Sequence, residues 1–324
     1  MGDPKLQCLS TGQYDRPSPQ CVRKDLSGER LCGQRDIIIN PEPEPDYSRN
    51  GTTDPPGARR RRALAHAPRV YGGSNAVPGE YPWNVLIEFE RGKFCGGSII
   101  NQDWVLTAGH CLLKNFYTKC DNKVEACRLI NPTDVITIIA GMHNREEDSD
   151  ETWQRRTAVE LMVHPYFTSQ SRFIDYDVGL IRVKTPFVYN KMVNRVCLPT
   201  EGINNLVANQ YLFVSGWGKT NSTITSDILQ KITVPYVSRD VCNGDISYKG
   251  EITETMFCAG YPDGKIDACQ GDSGGPLVFL GSNGTFVQGG IVSWGRDCAR
   301  EHFYGVYTNL AYFYDWIISH IEVN

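Results

Sequence analysis

Residues 70–324 predict an all-β fold of the sandwich or barrel kind. Three features carry that expectation: short apolar runs rich in β-branched and aromatic residues, glycine-bearing turns between them, and a single amphipathic helix at the C-terminal end. The runs Val85–Phe89, Val135–Ile139 and Phe286–Val292 have strand length and are too short for buried helices. Leu310, Phe313, Tyr314, Ile317, Ile318 and Ile321 recur at helical spacing and share one face, with Asn309 as the expected N-cap. The 324-residue chain is 40% hydrophobic and 10% aromatic, which excludes a disordered or collagen-like polymer and leaves material for a core. Its net charge of −4 argues against a nucleic-acid partner. No apolar run approaches the length of a membrane span, so no membrane partner is expected.

Residues 1–69 have a different texture. They hold nine of the 18 prolines, the run Pro41–Pro45 with alternating glutamates, and the tetrabasic stretch Arg59–Arg62. Their net charge is +3, which leaves −7 on the remainder. Such a segment cannot bury enough apolar surface to fold alone, so most of it reads as linker.

Twelve cysteines without CxxC or CxxH pairs point to disulfides in an oxidising compartment and not to a metal site. No secretory leader opens at Met1, so the chain reads either as cytosolic or as the C-terminal part of a longer secreted protein; glycosylation sequons at Asn50, Asn221 and Asn283 fit the second. Cys8, Cys21 and Cys32 lie in the front segment and nine cysteines lie in the body. Both numbers are odd. If every cysteine is oxidised, at least one bridge joins the front to the body, and a cut between them leaves the two parts attached.

Three motifs stand in chain order: Thr107-Ala108-Gly109-His110-Cys111, Asp175-Tyr176-Asp177-Val178-Gly179-Leu180-Ile181 and Gly271-Asp272-Ser273-Gly274-Gly275-Pro276. A serine is a weak nucleophile at neutral pH. It needs an imidazole to take its proton and a buried carboxylate to fix that imidazole's tautomer. Glycines around it let the backbone turn and aim N–H groups at a developing oxyanion. Gly271-x-Ser273-x-Gly275 also fits the elbow of α/β-hydrolases, but that arrangement needs the order Ser, acid, His and a helix after the elbow. Here His and Asp come first, and Pro276 follows closely.

The segment Val70–Asn324 resembles the trypsin-like serine proteases across its length. The landmarks are Val70-Tyr71-Gly72-Gly73, the His110 motif, Asp177, Val214-Ser215-Gly216-Trp217-Gly218, the Ser273 motif and Ser293-Trp294-Gly295. The resemblance implies two packed six-stranded antiparallel β-barrels with a C-terminal helix. It implies Ser273 as nucleophile, His110 as general base and then acid, Asp177 as orienting carboxylate with Asp175 as runner-up, and an oxyanion hole from the N–H groups of Gly271 and Ser273. Ser293, Trp294 and Gly295 would pair with substrate backbone. Asp267 would floor the primary pocket, where a desolvated carboxylate selects Arg or Lys before the cut, and Gly295 and Gly305 would keep the walls open. Without that register Asp267 reads as an ordinary solvated carboxylate. Ala268 has no hydroxyl to solvate a lysine ammonium, which favours Arg. Cleavage after Arg69 would free the Val70 ammonium to bury against Asp272; Arg59–Arg62 is a second basic cut site, expected to be silent for activity.

By the same resemblance the expected bridges are Cys95–Cys111, Cys120–Cys127, Cys242–Cys258, Cys269–Cys298 and the tether Cys32–Cys197. No cofactor or metal is expected. The acidic run Glu146–Glu151 reads as a solvated loop, and His66, His143, His164, His302 and His320 as surface or satisfied residues. Residues 1–22 look like the closing half of a sushi (complement control) module, leaving Cys8 and Cys21 without its first two cysteines, and 23–69 like linker and activation segment. That layout, with Asp267-Ala268-Cys269 and Arg296-Asp297-Cys298, resembles the mannan-binding-lectin-associated proteases of the complement lectin pathway; the endotoxin-triggered clotting protease of horseshoe crabs is the second similarity. The implied partners are a zymogen or complement component as substrate, an upstream activating protease or the chain itself, serpin-type inhibitors, and a recognition lectin bound through a missing N-terminal region. A catalytically dead homologue serving as a binding module is the alternative from another class; the intact His110, Asp177 and Ser273 argue against it.

Overall fold

The structure is a computed structural model. It describes residues 6–8, 21–23, 32–35, 73–89, 92–116, 136–147, 153–170, 173–199, 206–207, 210–219, 224–264 and 266–321. The front contributes a two-stranded antiparallel ribbon, β1 (Leu6–Cys8) and β2 (Cys21–Arg23), whose register sets Cys8 opposite Cys21. In the body, β3 (Ser74–Asn75) precedes a run of strands: β4 (Asn84–Phe89), β5 (Lys93–Ile99) and β6 (Trp104–Thr107). Helix α1 (Gly109–Phe116) follows, then β7 (Ile136–Ala140), β8 (Gln154–Val163), the short hairpin β9 (Thr168–Gln170) and β10 (Phe173–Asp175), and β11 (Gly179–Val183). Strands β4–β8 and β11 close a six-stranded barrel in the order β11-β6-β5-β4-β7-β8.

The second half comprises β12 (Tyr211–Gly216), β13 (Gln230–Val237), α2 (Arg239–Cys242), β14 (Met256–Ala259), β15 (Pro276–Leu280), β16 (Phe286–Trp294), β17 (Gly305–Asn309) and α3 (Leu310–Ile321). Its strands run in the order β12-β15-β16-β17-β14-β13, and the β12–β13 pairing closes the ring. The two-residue β3 adds to the outside of β13, where Ser74 opposes Lys231 and Asn75 opposes Gln230. Two six-stranded antiparallel barrels are therefore present.

The runs at Val85, Ile136 and Phe286 all form strands, and the C-terminal helix forms where its periodicity places it. Its start is built differently from the expectation. Asn309 ends β17, and its side-chain amide donates to the Glu254 carbonyl at 3.1 Å. Phe313 and Ile317 on α3 enter the same buried cluster as Trp83, Trp104, Ile87 and Leu106 of the first barrel and Val278, Phe286 and Ile291 of the second. A core that runs continuously through both barrels fixes their mutual position, because close-packed interiors deform little. The seam between the barrels is thus set on rigid elements.

Residues 32–35 of the front segment are docked on the body. Cys32 is bonded to Cys197, Gly33 N donates to Arg195 O at 2.8 Å, and Phe286 N donates to Gly33 O at 2.9 Å. Arg35 lies 4.7 Å over the Phe286 ring and 3.6 Å from buried Glu80, which also holds Lys231 at 3.0 Å. Among the described residues three further bridges form: Cys95–Cys111, Cys242–Cys258 and Cys269–Cys298. Cys120 and Cys127 lie outside the described residues, as do Arg69, Val70, Asn50 and Asn221. Asn283 is described: it is exposed in a turn where its Oδ1 accepts from Thr285 N and Oγ1. No described helix is long and apolar enough to cross a membrane.

Candidate active site

Strand β6 ends at Thr107, and the chain turns at once into α1, so His110 sits in the helix's first turn. Two bonds lock it to Asp177. His110 N donates to Asp177 Oδ1 at 2.8 Å, and Nδ1 lies 2.7 Å from Oδ2. An ionised carboxylate only accepts, so Nδ1 carries the proton and Nε2 is left as the base. Asp177 is 3% exposed. Burial pushes its pKa up, but the His110 charge and hydrogen bonds from His110 and Ser293 outweigh it and hold the carboxyl below its ordinary value. Ser293 Oγ donates to Oδ2 at 2.5 Å, and Thr308 Oγ1 donates to the Asp177 carbonyl at 2.7 Å, so β16 and β17 of the second barrel fix a residue presented by the first.

Asp175, the runner-up carboxylate, is engaged elsewhere. Its Oδ1 accepts from Tyr176 N at 2.7 Å and from the hydroxyls of Thr253 and Thr255. The bonds to His110 belong to Asp177 alone.

Ser273 lies in the tight segment before β15. Its carbonyl accepts from Gly96 N of β5 at 2.8 Å, while Gly274 N donates to Val292 O and Gly275 N to Asp272 O. Both barrels therefore hold the serine's main chain. Gly271 has φ +103°, and a Cβ there would lie 2.9 Å from Gly218 Cα, so only glycine lets this turn form. Asp272 is 3% exposed; Gly218 N donates to its Oδ1 at 2.8 Å and Cys269 N to its Oδ2 at 3.0 Å. Burial raises its pKa to about 6, against these two bonds. A buried carboxylate of this kind stands ready for a cation.

Asp267 is 5% exposed. Ala299 N donates to its Oδ2 at 3.0 Å, and among the described residues Oδ1 has no hydrogen-bond partner. Desolvation pushes its pKa up to about 7, with the Asp272 charge adding to the rise and the backbone N–H groups of Ala299 and Ala268 opposing it. A Cβ on Gly305 would come within 2.8 Å of Oδ1, so any larger residue there closes off the carboxylate. The Tyr307 hydroxyl is buried beside it, and burial, then the Asp267 and Asp272 charges, keep that phenol protonated well above its usual range. Ala268 packs with the apolar cluster of β12, β13 and β17. Trp294 meets Tyr248 edge to face at 5.2 Å, and Tyr248 donates to the Tyr304 carbonyl at 2.6 Å, which braces the end of β16.

A protein-family model described as Trypsin matches residues 70–317. The chain belongs to the trypsin family. Among curated relatives, coagulation factor IX of Cavia porcellus is 38% identical over 250 residues, covering 76% of this chain and 80% of that protein. Coagulation factor IX of Oryctolagus cuniculus is 37% identical, covering 76% and 83%. Transmembrane protease serine 5 of Homo sapiens is 37% identical over 253 residues, covering 78% of this chain and 51% of its own length. As a trypsin-family serine protease domain, the body carries His110, Asp177 and Ser273 within the matched span.

Some site contacts of this trypsin-family domain had no sequence signal. The Thr253 and Thr255 hydroxyls on Asp175 and the Arg296–Glu251 pair at 2.5 Å join residues 45 to 80 positions apart. His164, read from sequence as a surface or satisfied histidine, stacks on Tyr176, the residue before Asp177, at 5.0 Å.

Proposed function

We propose that this chain is the zymogen of a secreted serine endopeptidase, activated by cleavage after Arg69, that cuts protein substrates after Arg and then Lys in a limited-proteolysis cascade. The observation that carries the reading is the buried His110–Asp177–Ser293 network together with the buried carboxylate of Asp267, one of whose oxygens has no partner among the described residues. In the proposed mechanism His110 Nε2 takes the Ser273 hydroxyl proton as Oγ bonds to the scissile carbonyl carbon. Asp177 holds the resulting imidazolium, and the N–H groups of Gly271 and Ser273 take up the negative oxygen. The tetrahedral species collapses, the amine leaves with the proton from His110, and water repeats the sequence to release the acid and restore Ser273.

The substrate's Arg enters the pocket floored by Asp267, Ala268 and Gly305, and its backbone pairs with Ser293–Gly295. The freed Val70 ammonium pairs with Asp272, whose raised pKa suits a cation. The tether Cys32–Cys197 then keeps residues 1–69 attached, residues 1–22 as the end of a sushi module and 23–69 as linker. The cascade role leans on similarity to proteins named coagulation factor IX, so we favour a clotting-type substrate, itself a zymogen, with an upstream protease as activator and serpin-type proteins as inhibitors. A complement lectin-pathway role, with a recognition lectin as partner, leans on residues 1–22 and the Asp267–Cys269 and Arg296–Cys298 similarities only.

The test is to cleave the chain at Arg69 and assay Arg- against Lys-amide substrates beside Ser273→Ala. Turnover that depends on the cut, on Ser273 and on Arg over Lys supports the proposal; equal rates for the two proteins overturn it.

A further inference from the structure

Asp177 is preceded by a residue in an unusual conformation. Tyr176 has φ 51°, in the left-handed region that bulky L-residues rarely occupy. Such a conformation persists only where its surroundings over-determine it. Here they do so from three sides. Val178 N donates to the Tyr176 carbonyl at 2.9 Å, closing a turn that spans Asp177. The Tyr176 ring stacks on His164 at 5.0 Å and 22°, and meets Tyr166 at 5.6 Å, Phe313 at 5.9 Å and Tyr312 at 6.1 Å edge-on. His164 in turn packs on Phe313 and Trp316 at 5.2 and 5.1 Å, and its backbone N donates to Val178 O at 3.1 Å. On the other flank, Asp175 Oδ1 gathers Tyr176 N and the hydroxyls of Thr253 and Thr255, which lead into β14 of the second barrel.

We propose that Tyr176 and Asp175 are positioning residues for the Asp177 carboxylate: an aromatic clamp on α3 and a threonine anchor on the second barrel hold the loop so that both Asp177 oxygens meet His110. Neither residue bonds to His110. They act through the backbone of Asp177, which they hold where its carboxylate reaches His110 N and Nδ1 together. The proposal rests on the reading of Asp177 as the orienting carboxylate. The groups around the clamp that titrate are His164, His320, Tyr166, Tyr312 and Asp175, and His164 is held below the usual histidine value by burial and then by His320. For that reason the readout must be specific to His110.

The experiment uses the full chain cleaved after Arg69. Tyr176→Asn keeps a residue that tolerates the left-handed conformation but removes the ring; Tyr176→Phe keeps the ring; Thr255→Val removes one anchor hydroxyl at constant shape. The expectation for Tyr176→Asn is a fall in kcat of about tenfold at a KM within about twofold, since misplacing a catalytic group costs rate and not ground-state binding. The His110 ring resonance, followed by NMR against pH, shifts its midpoint to lower pH, because a displaced carboxylate stabilises imidazolium less. Tyr176→Phe matches the parent in both readouts, and Thr255→Val moves both in the direction of Tyr176→Asn. Parental kcat and His110 titration in Tyr176→Asn overturn the proposal, as does an equal loss in Tyr176→Phe. If Tyr176→Asn does not fold, Thr255→Val decides, and unchanged values there overturn it. Asp177→Asn is run in parallel: full activity in that variant refutes the role of Asp177 itself, independently of the clamp.

Discussion

Asp267 offers the sharpest quantitative test of the specificity pocket. It is nearly fully buried, one oxygen has no partner among the described residues, and its pKa is raised to about 7. Only the carboxylate attracts a cation, so binding an amidinium must drive off whatever proton Asp267 carries and pull its pKa back down. The affinity of benzamidine should therefore climb as pH rises to about 7 and then level off. Below that point the free protein is mostly protonated, and each pH unit costs about tenfold in affinity, or about 1.4 kcal/mol, reaching about a hundredfold near pH 5. Asp267→Asn removes the charge and leaves the amidinium in an uncompensated pocket. Breaking a buried pair in this way costs about 3–5 kcal/mol, or roughly a hundred- to several-thousandfold in affinity, and the pH dependence disappears. Calorimetric titration of the cleaved Ser273→Ala protein from pH 5 to 8.5, in two buffers of different ionisation enthalpy, gives both affinity and proton release. Constant affinity across that range, or wild-type affinity in Asp267→Asn, would refute the assignment.

Three further outcomes are expected. Asp267 and Asp272 have raised folded-state values of about 7 and about 6, so the stability they lend is complete below the ordinary carboxylate range and is lost as pH rises through 6–7. Thermal unfolding of uncleaved Ser273→Ala should show the midpoint falling from pH 5 to 8, and Asp267→Asn should flatten that fall; a midpoint that rises over the range would contradict it. Ser293→Ala removes the hydroxyl that donates to Asp177 Oδ2, and kcat should drop by about 10- to 150-fold, since one hydrogen bond to a charged group is worth about 1.5–3 kcal/mol. In Cys32→Ser, cleavage after Arg69 should release the front segment on a non-reducing denaturing gel, whereas the parent chain stays joined until reductant is added; a joined Cys32→Ser chain would mean that Cys32–Cys197 is not the tether.

The barrels were legible because their strands are short, rich in β-branched and aromatic residues and separated by glycine-bearing turns, and the helix because Phe313 and Ile317 repeat at helical spacing. The His110, Asp177 and Ser273 motifs were legible as local strings. Residue type alone did not separate Asp175 from Asp177; the family's pattern of residues after the acid favoured Asp177, and in the structure the two carboxylates point to different partners, Thr253 and Thr255 against His110 and Ser293. Asn309 illustrates the limit of local rules: a good N-cap residue was recruited as the last residue of β17, where it pairs with Gly290 of β16 and its side-chain amide donates to the Glu254 carbonyl. The aromatic clamp was illegible because it sets His164 and Tyr176, just after β8 and β10, against α3 far along the chain, around a backbone conformation that tyrosine does not advertise. The odd cysteine counts, by contrast, required a link from front to body from arithmetic alone, given full oxidation.

The most direct measurement of the central claim is covalent labelling with phenylmethanesulfonyl fluoride, read by intact mass and peptide mapping. The chain cleaved after Arg69 should take up one sulfonyl group, on Ser273, with loss of all amidase activity; His110→Ala should take up none in the same time. Amidase activity that survives labelling, or a label that maps to another residue while activity disappears, would contradict the assignment of Ser273 as the nucleophile.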